Sequence, residues 1–264
     1  MRSLIRFIVA FAAITALVAC CSCGGSSPAL SIQPQASPSS AGEAQGVYSG
    51  TTSTGSSFVA IILPDDGLVA LYGTQTSNVF YIAGILFGGG KSDHGNFTVS
   101  WIDDYYYTGT ITNGSLSATY VVDSTFNGSF TETGAPTINF TAEAMTPSLF
   151  NYDTPASLSD ITGTWTGTLL DATSASVTIN PDGTFTGSSS GCSFSGTVSP
   201  DKSNKNFFNF QMIFGGSPCS DPNEEAAGIA VDYVLAGTTI RQLVMGGRTT
   251  SYYGGPAQVF VATR

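Results

Sequence analysis

The stretch GTWTG, residues Gly163–Gly167, has a counterpart 117 residues earlier in GVYSG, residues Gly46–Gly50. A second correspondence comes after each of them: IILPDDG ends at Gly67 and TINPDG ends at Gly183, an offset of 116. Each copy thus opens with Gly-x-aromatic-x-Gly, runs through a second apolar segment and turns at a Pro-Asp pair. This repeat sets the plan of the chain. It predicts a β domain at residues 45–148, a linker at residues 149–159 within PSLFNYDTPASLSD, and a second β domain at residues 160–264.

The local pattern in both copies is that of short strands. Alternating or apolar runs are separated by turn residues, among them Pro64-Asp65-Asp66-Gly67, Asn113-Gly114, Asn127-Gly128 and Pro181-Asp182-Gly183. In NFFNFQMIF, residues 206–214, Phe208, Phe210, Met212 and Phe214 fall on one face of a strand; Phe207, Asn209, Gln211 and Ile213 fall on the other. No long segment after residue 46 carries a 3.6-residue period. The expected fold class is all-β, two tandem small antiparallel domains of eight or nine strands each. Such sheets protect their edges by closing into up-and-down barrels or by pairing as sandwiches.

The residues ahead of the repeat read as an address. Arg2 and Arg6 flank the start of Phe7–Val18, a run of twelve residues without charge. That run is too short for a membrane span of about 20 residues and suits the apolar region of an export signal. Leu17-Val18-Ala19-Cys20 resembles the bacterial lipobox. The resemblance implies a signal peptide at residues 1–19, cleavage before Cys20, a diacylglycerol on the Cys20 thiol and acylation of the new amino terminus. Acyl chains contribute about 0.8 kcal/mol per buried methylene, so several together hold a protein on a bilayer. Position 21 is Cys rather than Asp, and resemblance to sorted lipoproteins then implies the outer membrane of a bacterial cell envelope. Residues 20–44, rich in Ser, Pro and Gly, read as a flexible tether with a reach of roughly 25–30 Å.

Composition narrows the partners. Without Arg2 and Arg6 the chain keeps 6 basic and 18 acidic residues, a formal charge of −12. An acidic surface of this kind does not attract nucleic acid. With 10% charged and 42% hydrophobic residues, the chain has the makings of a core and is not of disordered type.

Two further resemblances concern the second domain. ITGTWTG followed by DGTFTG resembles the first hairpin of calycin barrels, the avidin family in particular. This implies a barrel, but the biotin site is not carried over. Thr166 and Gly167 stand at the first-strand ligand position, and the only other tryptophan, Trp101, belongs to the first domain. PDGTFTG, GCSFSGTV, NFFNF and Cys219 resemble a group of bacterial envelope lipoproteins with no assigned activity, which implies a small β domain with a disulfide. Cys192 and Cys219, 27 positions apart in a chain that reads as exported, are expected to pair, two free thiols being the alternative.

Several motifs lack the context their chemistry needs. GSSSG, residues 187–191, matches the nucleophile elbow, but Ser189 falls in a hairpin and the single His, His94, lies in the other domain. GGGKS, residues 88–92, has Ile85 where a phosphate loop needs Gly and no helix after it, so it reads as a flexible hairpin loop. Asp221, Asn223, Glu225 and Asp232 have the spacing of calcium ligands, with Ala226 in place of the required Gly. No catalytic residue, metal or cofactor is expected. The best binding signal is WIDDYYY, residues 101–107. Trp101, Asp103, Tyr105 and Tyr107 share one face of an unbroken strand, an aromatic wall with one carboxylate suited to a sugar, a peptide or an amine. The alternative is a hairpin turn at Asp103-Asp104 with the aromatics in the core. Asp221, Glu224 and Glu225 beside Cys219 form a candidate negative patch for a basic partner.

Three functions are compatible with these features. The first is a non-catalytic, lipid-anchored envelope lipoprotein contacting a protein or glycan. The second is a calycin-like carrier of a small molecule. The third is a glycosidase built on two carboxylates about 5–9 Å apart. A hollow barrel interior separates the second from the first.

Overall fold

The computed structural model describes residues 42–76, 80–250 and 255–264. The signal peptide, Cys20 and the tether as far as residue 41 lie outside the described residues. Two closed eight-stranded barrels succeed one another along the chain. The first consists of β1 (Gly46–Thr52), β2 (Ser57–Ile62), β3 (Gly67–Gln75), β4 (Phe80–Asp93), β5 (Asn96–Tyr106), β6 (Ile111–Val121), β7 (Thr125–Glu132) and β8 (Ile138–Ala144). After the four-residue helix α1 (Leu158–Ile161) come β9 (Gly163–Leu169), β10 (Ser174–Ile179), β11 (Thr184–Ser189) and β12 (Cys192–Pro200). The second barrel is completed by β13 (Phe208–Phe214), β14 (Glu225–Val234), β15 (Arg241–Thr249) and β16 (Ala257–Thr263). Neighbours in sequence pair antiparallel, β8 returns to β1, and β16 returns to β9. Closure, rather than sandwiching, removes the exposed edges.

The repeat read from the sequence is also a repeat of contacts. Tyr48 and Trp165 are fully buried in the first strands of their barrels. The Tyr48 hydroxyl donates to the Ala44 carbonyl at 3.0 Å, and Trp165 Nε1 donates to the Ile161 carbonyl at 2.7 Å. In both cases the acceptor lies four residues earlier and belongs to a buried residue. Each aromatic thus stoppers one end of its barrel and pins the segment that enters there. Gly46 and Gly163, with φ of 150° and 114°, make the bend between plug and strand, which a side chain would oppose.

The two Pro-Asp turns correspond at an offset of 117, not the 116 obtained by matching their glycines. Leu63–Gly67 is closed by Leu63 N–H to the Gly67 carbonyl and Asp66 N–H to the Leu63 carbonyl. Asn180–Thr184 is closed by the same two bonds from Asn180 and Gly183. Asp66 therefore stands where Gly183 stands, with φ of 65° and 84°. Asp tolerates this left-handed conformation better than most residues, and here its side chain is held. The buried carboxylate accepts from Gly42 N at 3.0 Å, Ser92 N at 3.0 Å and the Ser92 hydroxyl. Two expectations change as a result. Gly42–Ala44, assigned to the tether, is a turn of the folded body, with Ala44 N donating to Ser92 Oγ. Gly88–Ser92, assigned to a loop, lies within β4.

The barrels pack on one another through an apolar seam. Val47, Ile61, Leu71, Ile85 and Phe87 of the first barrel meet Ile229, Val231, Val244, Val259 and Val261 of the second, with Phe150 of the linker among them. This explains why β14–β16 are nearly continuous apolar runs. Ala230, Leu243, Met245, Phe260 and Ala262 fill the second barrel while the residues between them face the first. Gly246 is where Ile85 presses in, since a Cβ there would lie 2.8 Å from Ile85 Cδ1. Polar ties flank the seam: Arg248 Nη1 to Asp103 Oδ2 at 2.6 Å, and the Tyr105 hydroxyl to the Gly255 carbonyl at 3.0 Å. Cys192 and Cys219 are disulfide-bonded, joining the start of β12 to the β13–β14 connection.

Candidate functional site in the first barrel

One half of the first barrel is filled and the other is hollow. Around the plug, Tyr48 stacks on Phe126 at 5.2 Å between ring centroids, and Phe97 and Phe140 pack on Phe126 at 5.5 and 5.6 Å. Beyond this layer the inward positions include Ala60 and Ala70, which are too small to meet across the axis. They leave a cavity of about 260 Å³, walled by Phe58, Leu86, Leu116 and Phe130 and reaching Thr52, Thr54 and Ser56 at the β1–β2 hairpin. Its size lies just under the ~300–1,000 Å³ common for small-molecule sites.

Away from that hairpin, the polar groups of this cavity are Tyr72 of β3 and Asp104 and Tyr106 of β5, with β4 lying between the two strands. Gly84 of β4 pairs with Tyr72 of β3 on one side and Tyr106 of β5 on the other. A Cβ on Gly84 would lie 2.2 Å from the Tyr72 hydroxyl. Glycine therefore lets Tyr72 lie across β4 and reach β5, where its hydroxyl donates to Asp104 Oδ1 at 2.9 Å. The Tyr72 and Tyr106 rings meet edge to face, 6.2 Å between centroids. The Tyr106 hydroxyl donates to Glu132 Oε2 at 2.8 Å.

Asp104 is 2% exposed. Burial pushes its carboxyl up to about 7, and nearby Glu132 pushes the same way, against the hydroxyls of Tyr72 and Tyr106. Burial also raises both tyrosines well above their ordinary value, so both remain hydrogen-bond donors. Among the described residues, no Lys, Arg or His lines this cavity.

The WIDDYYY stretch is decided by one inserted residue. Phe97 and Val99 face inward. Strict alternation would then send Trp101, Asp103 and Tyr105 inward as well. However, Val99 pairs with Leu116 and Ile102 with Gly114, so β5 advances three residues while β6 advances two. This bulge reverses the parity. Ile102 and Asp104 face the interior, and Trp101, Asp103 and Tyr105 face out. The expected face therefore exists, but on the outside. The alternative turn at Asp103-Asp104 is not formed, because β5 runs on to Tyr106. Trp101 is half exposed and its Nε1 donates to Asp103 Oδ1 at 3.0 Å; Asn113 Nδ2 donates to the same atom at 2.8 Å. Tyr105 is buried in the seam. Tyr107 lies beyond β5, exposed, at the mouth of a second cavity.

That second cavity, about 450 Å³, occupies the open half of the second barrel and is walled by Phe194, Phe210, Met212 and Phe214. Its carboxylates, Asp171 and Asp221, are not buried. Glu225 lines an outer groove instead, so Asp221, Glu224 and Glu225 do not converge on one cavity. Ser189 donates to the Ser174 carbonyl at 2.9 Å in the second barrel, while His94 sits beside Asp93 in the first. Asp232 forms an ion pair with Arg241.

No family model matches the chain, and no curated protein matches it. Two solved structures align with it. A Bacteroides fragilis protein provisionally called an outer membrane protein is 11% identical, with a TM-score of 0.26, covering 85% of this chain and 97% of its own. A protein of unknown function from Nostoc punctiforme, of the DUF3598 family, is 11% identical with a TM-score of 0.25, covering 85% of this chain and 98% of its own. Likenesses this distant carry no information about the activity of this chain.

Proposed function

We propose that this chain is a non-catalytic envelope protein, anchored by lipid on Cys20, whose first barrel binds a small molecule. The observation that carries this reading is the hollow half of that barrel, an apolar chamber with one buried carboxylate on its wall. Of the functions the sequence allows, a carrier is the one that calls for an empty interior. The lipobox-like Leu17-Val18-Ala19-Cys20 supports display on a membrane.

The binding reading is tested by methyl NMR on the full chain in detergent, titrated with small aromatic and aliphatic compounds. Shifts confined to Ala60, Ala70, Leu86 and Leu116 support it. A saturating panel that moves none of them refutes it. The anchor is tested by labelling with palmitate in cells: label on the wild type and none on Cys20→Ser supports it, and label persisting on Cys20→Ser refutes it.

A further inference from the structure

The geometry points to an organic ammonium ion with an apolar body as the ligand of the first barrel, its cationic head on Asp104 between Tyr72 and Tyr106. This inference rests on the ligand-barrel reading and goes on to name the ligand's charge.

Three observations carry it. First, Asp104 is a buried carboxylate with no cation beside it among the described residues. Its hydrogen-bond partner is the Tyr72 hydroxyl, and the charge that acts on its titration is Glu132, of the same sign. A buried carboxylate is usually paired. Asp103, one residue away, shows the usual solution, with Arg248 against it. Second, the titratable groups around Asp104 are acidic or phenolic, Tyr72 from β3, Tyr106 from its own strand and Glu132 from β7, while its partners on the adjoining strands are Leu86 of β4 and Thr112 of β6. An anionic ligand would meet the Asp104 carboxylate, with Glu132 bonded to the Tyr106 hydroxyl, and no counter-charge on the chamber wall. A neutral one would leave Asp104 to be neutralised by its own proton, as in the empty barrel, whereas a cation pairs with the ionised form. Third, two tyrosine rings set edge to face beside the carboxylate offer the aromatic surface to which ammonium groups are drawn. The apolar remainder of the chamber then takes the ligand's body.

The raised pKa of Asp104 fits this arrangement. In the empty barrel near neutral pH the carboxyl holds a proton part of the time, and an arriving cation displaces it. Affinity for the cation therefore falls as pH falls, by about tenfold for each unit below that pKa.

The test uses a trio of matched chain length, phenylbutylamine, phenylbutanol and phenylbutyrate, titrated calorimetrically into the full chain in detergent at pH 8 and pH 5. We expect the amine to bind at least tenfold more tightly than the alcohol at pH 8 and to lose that advantage at pH 5. Phenylbutyrate should bind most weakly at pH 8. Asp104→Asn should reduce the amine to the alcohol's affinity at pH 8. The alcohol or the carboxylate binding as tightly as the amine overturns the ammonium inference and leaves the carrier reading standing. So does an amine affinity that is the same at both pH values, a measurement on the wild type that needs no folded variant. None of the three binding at either pH overturns both.

Discussion

Asp103 and Asp104 are consecutive residues with opposite surroundings: Asp103 is closed against Arg248 of the second barrel, and Asp104 faces the chamber of the first with the Tyr72 hydroxyl as its partner. One β-strand thus places one carboxylate against the second barrel and the other in the chamber of the first. The extra residue between Val99 and Ile102 settles which is which.

The Asp104 carboxyl makes stability depend on pH in a defined direction. Its folded-state pKa, about 7, is above the ordinary 3.8. The native state therefore holds the proton more tightly than the unfolded chain, and stability falls as pH rises from about 4 to 7. The cost above pH 7 is on the order of 2–4 kcal/mol. Asp104→Asn should match the wild type near pH 4 and be more stable at pH 8, as read by urea unfolding at both values. An equal difference at the two pH values would refute the assignment.

Filling tells the hollow half from the packed half. Ala70 lines the chamber, whereas Ala142 lies in the core beside Gly50. Ala70→Phe should abolish ligand-induced shifts at Leu86 and Leu116 while costing less than about 1 kcal/mol. Ala142→Phe should cost at least the ~1–3 kcal/mol typical of overpacking. Equal costs at the two sites would mean that the chamber does not persist in solution.

The seam should make the barrels unfold together. Arg248 is partly exposed, but Asp103 is nearly buried. Arg248→Ala leaves that carboxylate with Trp101 and Asn113 alone. A fully buried pair broken in this way costs about 3–5 kcal/mol; the exposure of Arg248 reduces the expectation to about 2 kcal/mol. The single calorimetric transition expected of the wild type should split in two. An unaltered transition would show that the apolar seam alone couples the barrels.

The disulfide of the second barrel should matter to stability and not to the chamber of the first. Its loop spans 27 residues, and chain entropy sets its contribution at up to about 3.5 kcal/mol. Replacing Cys192 and Cys219 by Ser should lower the stability of the joint unfolding transition by that order while leaving amine binding in the first barrel unchanged. A loss of binding would show that the second barrel shapes the first barrel's site.

Much of the architecture was legible in the chain. Gly-x-aromatic-x-Gly at residues 46–50 and 163–167 announced two copies, and in both the aromatic is buried and bonded to the carbonyl four residues earlier. Alternation along residues 206–214 placed Phe208 and Phe210 inside, since successive side chains of a strand point to opposite faces. The pairing of Cys192 with Cys219 was legible from their number and setting. The Pro-Asp turns were legible as turns but not in register: the left-handed position is filled by Gly183 in one copy and by Asp66 in the other, and only the carboxylate's contacts reveal the equivalence.

The sequence by itself therefore determined the two-fold plan, most of the strands and the expected pairing of Cys192 with Cys219, which rest on a repeated motif, simple periodicity and the number of cysteines. Only the tertiary structure decided that the first barrel is half hollow, that β14–β16 are apolar because the first barrel covers their outer face, and that Asp104 rather than Asp103 faces the chamber. The reason is the same in each case. An interior volume is what remains after eight strands have each contributed a side chain at one level. A covered outer face depends on residues more than a hundred positions away. A single-residue bulge leaves the alternation on either side intact while exchanging inside for outside.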